Sequence, residues 1–559
     1  MRHLWNRRLV LGGMAAAGSL PFVAQAQADG TSTIPQAPFV VVETEAGRIR
    51  GGHARGAVAF KGIPYSGPVR GIGRFKAAPP VAPWARVFDA THLGPPTLQT
   101  PGSTYGEQEP AYSEDCLVLN VWTPAADSHK RPVMVYLHGG GYSTGSAGST
   151  AQDGGKLAAT YDVVVVACNH RLGLLGFLYL GEQLGEAYSG NQGMQDIVAA
   201  LQWVQDNIEQ FGGDADNVTV FGESGGGAKV GTLLGMPSAE GLFHKAGISS
   251  GAAMHRMRRE VAAETTWRLL KALDISDARK LLEVPAQTLL ELQWAGERGQ
   301  GGLAQPTPGW NEAPAGNGRA PGFSEALQPG HFGPVVDGHV LPADPFAGGK
   351  VTTLAAHIPL MIGNNSEEAR FFFMGSPEVF ALDAAGLTAR LQADYGDRAG
   401  EIEAVYRANR PEASPSDIYI ATATARAFGT DTIALAGLKS QQPAPVYTYR
   451  WDYNSNKPIP NSTATLGAGH ATDIGPTFDN WDLPGLHGDG PGLQAAAEHL
   501  SGLWTSFARS GKPSAPGVPE WPRYDTTRRA TMVVDTDCQV ADDPNAAERT
   551  LWEGLGIQG

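Results

Sequence analysis

Cysteine is scarce in this chain, because 559 residues contain only Cys116, Cys168 and Cys538. Three cysteines cannot build a disulfide scaffold, so we interpret them as small core residues in a chain long enough to bury a large core. Lysine and arginine form no basic run after the first ten residues, and the formal net charge is −14. The composition therefore argues against a nucleic-acid partner.

Long apolar runs are also missing after the N-terminal region, where no segment reaches the roughly 18 uninterrupted apolar residues of a membrane span. The N-terminal region itself has Arg7 and Arg8 followed by apolar and small residues. Residues 24–26 and 26–28 both read A-x-A, which is typical of a signal cleavage site. The pattern predicts a signal peptide over residues 1–28.

The paired arginines favour a signal of the twin-arginine type. The alternative is an ordinary secretion signal in which Arg7 and Arg8 only supply positive charge. Under either interpretation the mature protein begins near Gln27 or Asp29 and is periplasmic or secreted.

The middle of the chain alternates between strand-like and helix-like patterns. Residues 132–137 and 162–167 are short apolar runs rich in β-branched residues, which suit strands buried on both faces. Residues 194–211 place their apolar side chains on one helix face. A strand over 218–221 and a second helix follow, so the order predicts a mostly parallel α/β sheet.

Residues 295–323 interrupt this alternation with many glycine, proline, asparagine and glutamine residues. We expect an irregular surface segment that forms a rim or lid over a pocket. A disordered insertion without a function is the alternative.

Ser224 lies in the pattern Gly222-x-Ser224-x-Gly226, between the predicted strand and the second helix. This is the sequence of a nucleophile elbow, in which an abrupt strand-to-helix turn projects the serine above the sheet. Side chains two residues before and after the serine would collide across the turn, which explains both glycines. The N-terminus of the helix also favours negative charge beside the serine hydroxyl.

A second glycine-rich stretch, His138-Gly139-Gly140-Gly141, follows the strand predicted over 132–137. Glycine lets backbone N–H groups approach a substrate oxygen, so this loop and the N–H of Gly225 can form an oxyanion hole. A phosphate-binding loop is the alternative, but neither this stretch nor residues 225–229 have the P-loop pattern.

A serine hydroxyl needs a neighbouring base, and this fold class has the chain order serine, acid, histidine. The histidine candidates are His470, His487 and His499, of which His470 lies in a loop of small residues. Glu367 and Glu368 follow a predicted strand and are the acid candidates, unless both are solvated loop charges.

The chain resembles the carboxylesterase/cholinesterase family, also called type-B carboxylesterases, from about Val41 to Asp525. The motifs that carry the resemblance are Glu114 to Val121 (EDCLVLNV), Phe211 to Asp214 with Val218 to Gly226, Phe60 to Tyr65, Asn169 to Gly173, and Pro334 to Gly338. The resemblance implies these site residues: Ser224 as nucleophile, Glu368 as acid, His470 as base, and Gly140, Gly141 and Gly225 as oxyanion donors.

The chain departs from the family pattern at several of these motifs. Gly225 replaces the usual alanine, Ala369 a glycine, Asp473 a glutamate and His170 a tyrosine. No cysteine precedes Cys116, so the disulfide of the secreted animal members is not expected here.

The resemblance implies an α/β-hydrolase fold with a mostly parallel central sheet flanked by helices, and with long insertions around the active site. It implies one domain over residues 29–559 that hydrolyses a small-molecule carboxylic ester. No metal-ligand spacing appears, and no cofactor is required. The alternatives are an amidase or carbamate hydrolase with the same triad, and a non-catalytic binding protein on the same fold. The oligomeric state and the physiological ester are left open.

Overall fold

A computed structural model describes residues 38–100, 111–297, 303 and 327–556. The predicted signal peptide lies outside the described residues. The predicted lid also lies outside them, except for residues 295–297 and 303.

The strands are short apart from one central strand, and several coincide with the apolar runs predicted from the sequence. They are β1 Val40–Thr44, β2 Gly47–Ala54, β3 Ala57–Pro64, β4 Phe88–Asp89, β5 Val118–Thr123, β6 Arg131–Leu137, β7 Val164–Cys168, β8 Gly213–Glu223, β9 Lys245–Ser249, β10 Met257–Arg258, β11 Val335–Val336, β12 Leu360–Asn365, β13 Val446–Trp451, β14 Ser455–Pro458, β15 Thr465–Gly467, β16 Ala530–Val534 and β17 Gln539–Asp542.

One large sheet dominates the described part of the chain. Its strand order is β1-β2-β3-β5-β7-β6-β8-β9-β12-β13-β16-β17, and β4 pairs with β2. The pairings from β7 to β16 are parallel, as is that of β4 with β2. The pairings along the order β1-β2-β3-β5-β7 and the pairing of the last strand, β17, are antiparallel. The prediction of a mostly parallel central sheet is therefore confirmed.

Helices pack against the sheet and against one another. They are α1 Gly155–Tyr161, α2 Gly173–Phe177, α3 Gly181–Leu184, α4 Gln192–Asn207, α5 Gly225–Leu233, α6 Arg259–Ala272, α7 Ala286–Glu297, α8 Ala369–Phe372, α9 Ala384–Tyr395, α10 Ala399–Asn409, α11 Pro415–Thr424, α12 Thr430–Lys439, α13 Ile474–Thr477, α14 Leu493–Ser510 and α15 Ala546–Leu555. A π-helical turn, Ala425–Gly429, joins α11 to α12.

The helix predicted over 194–211 is divided in the structure. Its α-helical part, α4, ends at Asn207, and a 3₁₀ turn over Ile208–Phe211 follows. Gly212 then has φ +78°, a left-handed conformation that ends the turn and lets the chain enter β8. The predicted face is nevertheless the one that is buried, with Ile197, Leu201 and Val204 in the core.

Both faces of the sheet are covered, as β6 shows. Val133 and Val135 belong to the apolar cluster on one face, whereas Met134 and Tyr136 belong to the cluster on the other. Because successive side chains of a strand point to opposite faces, this division places helices or loops on both sides of β6. An apolar run without alternation is therefore the expected sequence of such a strand.

A buried ion pair fixes the loop after β7 to α4. Nε and Nη2 of Arg171 lie 2.8 and 2.6 Å from the carboxylate of Asp196, and the backbone N–H of Arg171 also donates to it. Both side chains are almost inaccessible to solvent. Replacing one residue of such a pair by an uncharged one is strongly destabilising, because the other charge would remain buried and unpaired.

No helix in the described ranges is both long enough and apolar enough to cross a membrane.

Candidate active site

Ser224 occupies the strand-to-helix turn predicted from the sequence. β8 ends at Glu223, α5 begins at Gly225, and Ser224 between them has φ +56° and ψ −125°. A non-glycine residue with positive φ is strained, and here the backbone N–H of Ser224 donates to Ser249 O at 2.8 Å to hold the turn.

The two glycines of the elbow are required by close backbone contacts. A Cβ built on Gly222 would lie 2.5 Å from the carbonyl carbon of Gly226, and one built on Gly226 would overlap the carbonyl oxygen of Leu137. Leu137 ends β6, the strand beside β8. The elbow therefore packs directly against the backbone that leads into the glycine-rich loop.

His470 and Glu368 meet although 102 residues separate them in the chain. Nδ1 of His470 lies 2.6 Å from Oε2 of Glu368, and Oε1 of Glu368 accepts a hydrogen bond from Asn365 N at 2.7 Å. Asn365 ends β12, so the acid is held at the carboxyl edge of the sheet. Both Glu368 and His470 are buried.

The other imidazole nitrogen of His470 faces the elbow. Nε2 lies 3.2 Å from Oε1 of Glu223, the residue directly before Ser224. The imidazole is therefore oriented on one side by Glu368 and directed on the other side towards the turn that holds the serine.

Glu223 and His470 are coupled electrostatically. Burial raises the pKa of the Glu223 carboxyl to about 8. Burial alone would lower the pKa of His470, but the carboxylates of Glu223 and Glu368 outweigh it and raise the value to about 9. The pair therefore holds a proton at neutral pH, and His470 can act as a base only when that proton is on Glu223 or has left the pair.

The other two histidine candidates lie elsewhere. The ring of His487 is buried, and its Nε2 lies 3.0 Å from Leu483 O. His499 is on α14, where its Nδ1 lies 2.9 Å from Asp535 O. Of the three candidates, the structure brings His470 to the elbow.

Glu367 has a different partner from its neighbour Glu368. Its Oε1 lies 2.8 Å from Nε of Arg370, and its Oε2 accepts a hydrogen bond from Ala468 N at 3.1 Å. Glu367 therefore supports the loop that carries His470 without contacting the imidazole itself.

The glycine-rich loop leaves the end of β6 beside the elbow. Gly140 and Gly141 have φ +83° and +62°, a left-handed conformation that glycine adopts without strain. A Cβ built on Gly225 would overlap the carbonyl oxygen of Gly141. The loop and the first residue of α5 are thus in direct backbone contact, which is possible because both positions are glycine.

Aromatic side chains surround the imidazole of His470. The ring centroids of Phe372 and Phe428 each lie 4.9 Å from the centroid of the imidazole, and that of Phe371 lies 5.8 Å away. Phe428 is in the π-helical turn between α11 and α12. These rings give the site an apolar wall next to the proposed base.

Several buried polar residues of this site were missed at the level of the sequence. Oγ of Ser249 donates to Asp473 at 2.7 Å, and Nδ2 of Asn365 donates to Gly469 O at 2.7 Å beside His470. Glu223 was missed as well. The available signal was position, because Glu223, Ser249 and Asn365 each end a buried apolar strand with a polar residue.

Within the described ranges, no group of three or more histidine, cysteine, aspartate or glutamate residues is arranged to hold a metal ion.

Comparisons with known proteins show which family this chain is similar to. Residues 38–552 match the sequence model of the carboxylesterase family. The chain is 35% identical over 523 residues to para-nitrobenzyl esterase of Bacillus subtilis (strain 168), covering 91% of this chain and 97% of that one. It is 31% identical over 524 residues to phenmedipham hydrolase of Pseudarthrobacter oxydans, covering 90% and 97%.

The fold matches solved structures as well. The crystal structure of carboxylesterase EST55 of Geobacillus stearothermophilus at pH 6.2 superposes with a TM-score of 0.75 at 36% identity, covering 92% of this chain and 99% of that one. The sheet, the elbow and these likenesses together identify an α/β-hydrolase fold. The chain belongs to the carboxylesterase family of carboxylic ester hydrolases.

Proposed function

We propose that Ser224, His470 and Glu368 hydrolyse carboxylic esters through a covalent acyl-enzyme. Nε2 of His470 takes the proton from Ser224 as the serine oxygen attacks the ester carbonyl carbon. Glu368 stabilises the imidazolium that forms. His470 then protonates the departing alcohol, and a water molecule repeats the sequence on the acyl-enzyme to release the acid.

The N–H groups of Gly140, Gly141 and Gly225 bind the negatively charged oxygen of both tetrahedral intermediates. Donors that are fixed before the reaction stabilise such an oxyanion without reorganisation. Support comes from the contact between Gly141 and Gly225, which places the loop against the N-terminus of α5. The helix dipole adds favourable potential at the same point.

One observation carries the triad proposal: His470 lies between Glu368, at 2.6 Å, and Glu223 of the strained elbow, at 3.2 Å. A histidine whose two nitrogens face an orienting carboxylate and a serine turn has the geometry of a general base. A binding protein on this fold would have no need for that arrangement.

For the substrate, we propose esters with an apolar acyl or alcohol group. Phe371, Phe372 and Phe428 support this choice because they present aromatic surface beside His470. The name of the Bacillus subtilis relative, a para-nitrobenzyl esterase, points in the same direction.

The direct test is covalent labelling. We expect diethyl p-nitrophenyl phosphate to add one diethylphosphoryl group per chain at Ser224, with hydrolysis of p-nitrophenyl butyrate lost in proportion. Ser224→Ala should show neither labelling nor hydrolysis, whereas Ser414→Ala, a remote helix cap of α11, should retain both. A folded wild-type protein that is neither labelled nor active would refute the triad.

Leaving-group preference is tested separately. We expect p-nitrophenyl butyrate to be hydrolysed far faster than the matching butyryl p-nitroanilide and p-nitrophenyl carbamates. Faster turnover of the anilide or of a carbamate would favour the amidase or carbamate hydrolase alternative instead.

We also propose that residues 1–28 direct export by the twin-arginine route. The adjacent Arg7 and Arg8 support it. Changing both to lysine keeps the positive charge that an ordinary signal needs. We expect this double variant to remain in the cytoplasm in unprocessed form, measured by cell fractionation and intact mass, and normal export of the variant would favour the ordinary signal.

A further inference from the structure

Lys229 is buried beneath the glycine-rich loop and has no part in the mechanism described above. It lies in α5, is 0% exposed, and its Nζ donates a hydrogen bond to the backbone carbonyl oxygen of His138 at 3.1 Å. An ammonium group has three donors, and His138 O is the acceptor that the described residues provide.

The position of Lys229 in α5 explains why it reaches this carbonyl. Residues four apart lie on the same helix face, so Lys229 follows Gly225 by one turn. A Cβ built on Gly226, in the first turn, would lie 3.1 Å from His138 O. The face of α5 that begins at the oxyanion donor Gly225 is therefore packed against the loop along its whole first turn.

The first three carbonyls of the loop each have a hydrogen-bond donor. Lys229 binds His138 O, Nδ1 of His138 lies 2.9 Å from Gly139 O, and Gly140 O accepts from the N–H groups of Ser143 and Thr144 at 3.2 and 3.1 Å. In a planar trans peptide, the N–H points opposite to the carbonyl oxygen. Holding Gly139 O and Gly140 O therefore fixes the directions of the Gly140 and Gly141 N–H groups.

Lys229 is the first anchor in this series and the only one supplied by α5. Without it, the peptide between His138 and Gly139, with which the glycines of the loop begin, would lose the hydrogen bond that fixes its direction. We propose that Lys229 is a positioning residue that aligns the oxyanion loop with the helix carrying Gly225. The inference rests on the proposed function, because it assigns Lys229 to the oxyanion hole of that mechanism.

The surroundings of Lys229 disfavour its charged form. Burial lowers the pKa of Lys229 to about 7, and the nearby Cys168 and Glu223 only partly oppose this effect. The rings of His138 and His170 stack at 4.6 Å, and burial together with the charge of Lys229 keeps their pKa values low. The carbonyl oxygen of His138 and the ring of Tyr142, whose centroid lies 5.8 Å from Nζ, are neutral partners, so burying the ammonium costs desolvation energy that an apolar side chain would avoid.

The low pKa of His138 also defines its role. A neutral imidazole has one N–H, and a single proton on Nδ1 serves the bond to Gly139 O. Lys229 thus favours the neutral form of the very ring that holds the next carbonyl of the loop. The histidine at position 170, where the family usually has tyrosine, provides the flat surface on which His138 stacks.

The test compares Lys229→Met, which removes the ammonium at similar volume, with Lys229→Gln, which keeps an uncharged donor. Lys439→Met is a matched control, because Lys439 is also 0% exposed and its Nζ donates to the carbonyl oxygen of Ala355 at 2.9 Å. Measurements are kcat and KM for p-nitrophenyl butyrate, and the inhibition constant of an aryl trifluoromethyl ketone, which forms a tetrahedral adduct with the serine.

For Lys229→Met we expect kcat to fall by about 10- to 100-fold with KM nearly unchanged. This loss is smaller than that caused by deleting an oxyanion donor, because a displaced donor keeps part of its hydrogen bond. The inhibition constant of the ketone should rise by a similar factor, and Lys229→Gln should recover most of the loss. Lys439→Met should leave both kcat and the inhibition constant of the ketone unchanged.

Unchanged kcat and ketone affinity in folded Lys229→Gln and Lys229→Met would overturn the inference. If Lys229→Met does not fold, Lys229→Gln alone decides, because loss of charge should still weaken ketone binding measurably. Labelling of wild-type Ser224 is measured in parallel. If wild-type Ser224 is labelled but kcat and ketone affinity are unchanged in the variants, only the role of Lys229 is refuted. If wild-type Ser224 is not labelled, the proposed function itself is refuted.

Discussion

Replacing Gly225 by alanine should damage catalysis although alanine is usual at this position in the family. A Cβ built on Gly225 would overlap the carbonyl oxygen of Gly141 and lie 2.5 Å from both its carbonyl carbon and its Cα. Ordinary carbon–carbon contacts are about 3.5–4.0 Å, so the Gly141 peptide would have to withdraw by about 1 Å.

A withdrawal of this size is large for an oxyanion hole. Effective donors lie within about 2.7–3.1 Å of the oxyanion, so a shift of about 1 Å removes most of one hydrogen bond. Loss of one donor typically costs about 100- to 1,000-fold in kcat, or roughly 3–4 kcal/mol of transition-state stabilisation. We expect Gly225→Ala to lower kcat by about 100- to 1,000-fold or somewhat less, with little change in KM.

Stability should fall as well, because displacing the Gly141 backbone costs about 1–3 kcal/mol, which outweighs the about 1 kcal/mol by which alanine exceeds glycine in helix propensity. The φ of Gly225 is not positive, so the strain comes from this contact and not from the backbone conformation of residue 225. Gly231→Ala in the same helix is the control, because the nearest atoms to its Cβ belong to side chains, the guanidinium of Arg256 at 2.9 Å and the ring of Phe346 at 3.6 Å, and not to the glycine-rich loop.

The assay is steady-state hydrolysis of p-nitrophenyl butyrate alongside thermal unfolding of both variants. We expect a large drop in kcat for Gly225→Ala and none for Gly231→Ala. Wild-type kcat in folded Gly225→Ala would show that the loop can retreat and still present its donors, and would refute the effect expected from the close contact with Gly141.

Three further predictions concern the carboxylates. Glu223→Gln removes the carboxylate that most raises the pKa of His470. The rising limb of kcat/KM against pH should therefore shift to lower pH by about one unit or more. No shift would mean that Glu223 is uncharged throughout. Glu368→Gln should lower kcat at least about 100-fold. Glu367→Gln should lower kcat far less, because glutamine keeps an oxygen that accepts the hydrogen bond from Ala468 N. Equal losses in the two variants would refute the assignment of Glu368 as the catalytic acid. Asp196→Ala should lower the free energy of unfolding by about 3–5 kcal/mol in urea titrations, because it strands a buried guanidinium, and a loss below 1 kcal/mol would contradict this.

The sequence predicted the elements around Ser224 because their signals are local. The strand, the serine between two glycines and the following helix form one continuous stretch, and each has a recognisable pattern. The glycine-rich loop after β6 could be predicted for the same reason. Nothing in these patterns depends on how distant parts of the chain meet.

His470 and Glu368 could not be selected by spacing alone. Their contact depends on β12 pairing with β9 and β13, which brings residues near position 365 beside the elbow. The resemblance to a family supplied what local pattern could not. Glu223 and Lys229 could not be singled out from the sequence, because one charged residue in an apolar stretch adds no repeating pattern. Only the contacts of such a residue in the structure show its role.

The same dependence on strand order makes catalysis sensitive to register. Leu137 of β6 pairs with Gly222 of β8, and Glu223 of β8 pairs with Ser249 of β9. A slip of one residue would move Ser224 by about 3.3 Å relative to the glycine-rich loop and turn every β8 side chain to the opposite face.

That displacement exceeds the tolerance of any hydrogen bond in the site, so full activity requires the native register of β6, β8 and β9. Because Val133, Val135, Met134 and Tyr136 bury both faces of β6, the core resists such a slip on each side. The apolar strands therefore do more than stabilise the fold. They hold Ser224 and the glycine-rich loop in one alignment, and the proposed roles of Ser224 as nucleophile and of the loop as oxyanion hole both depend on that alignment.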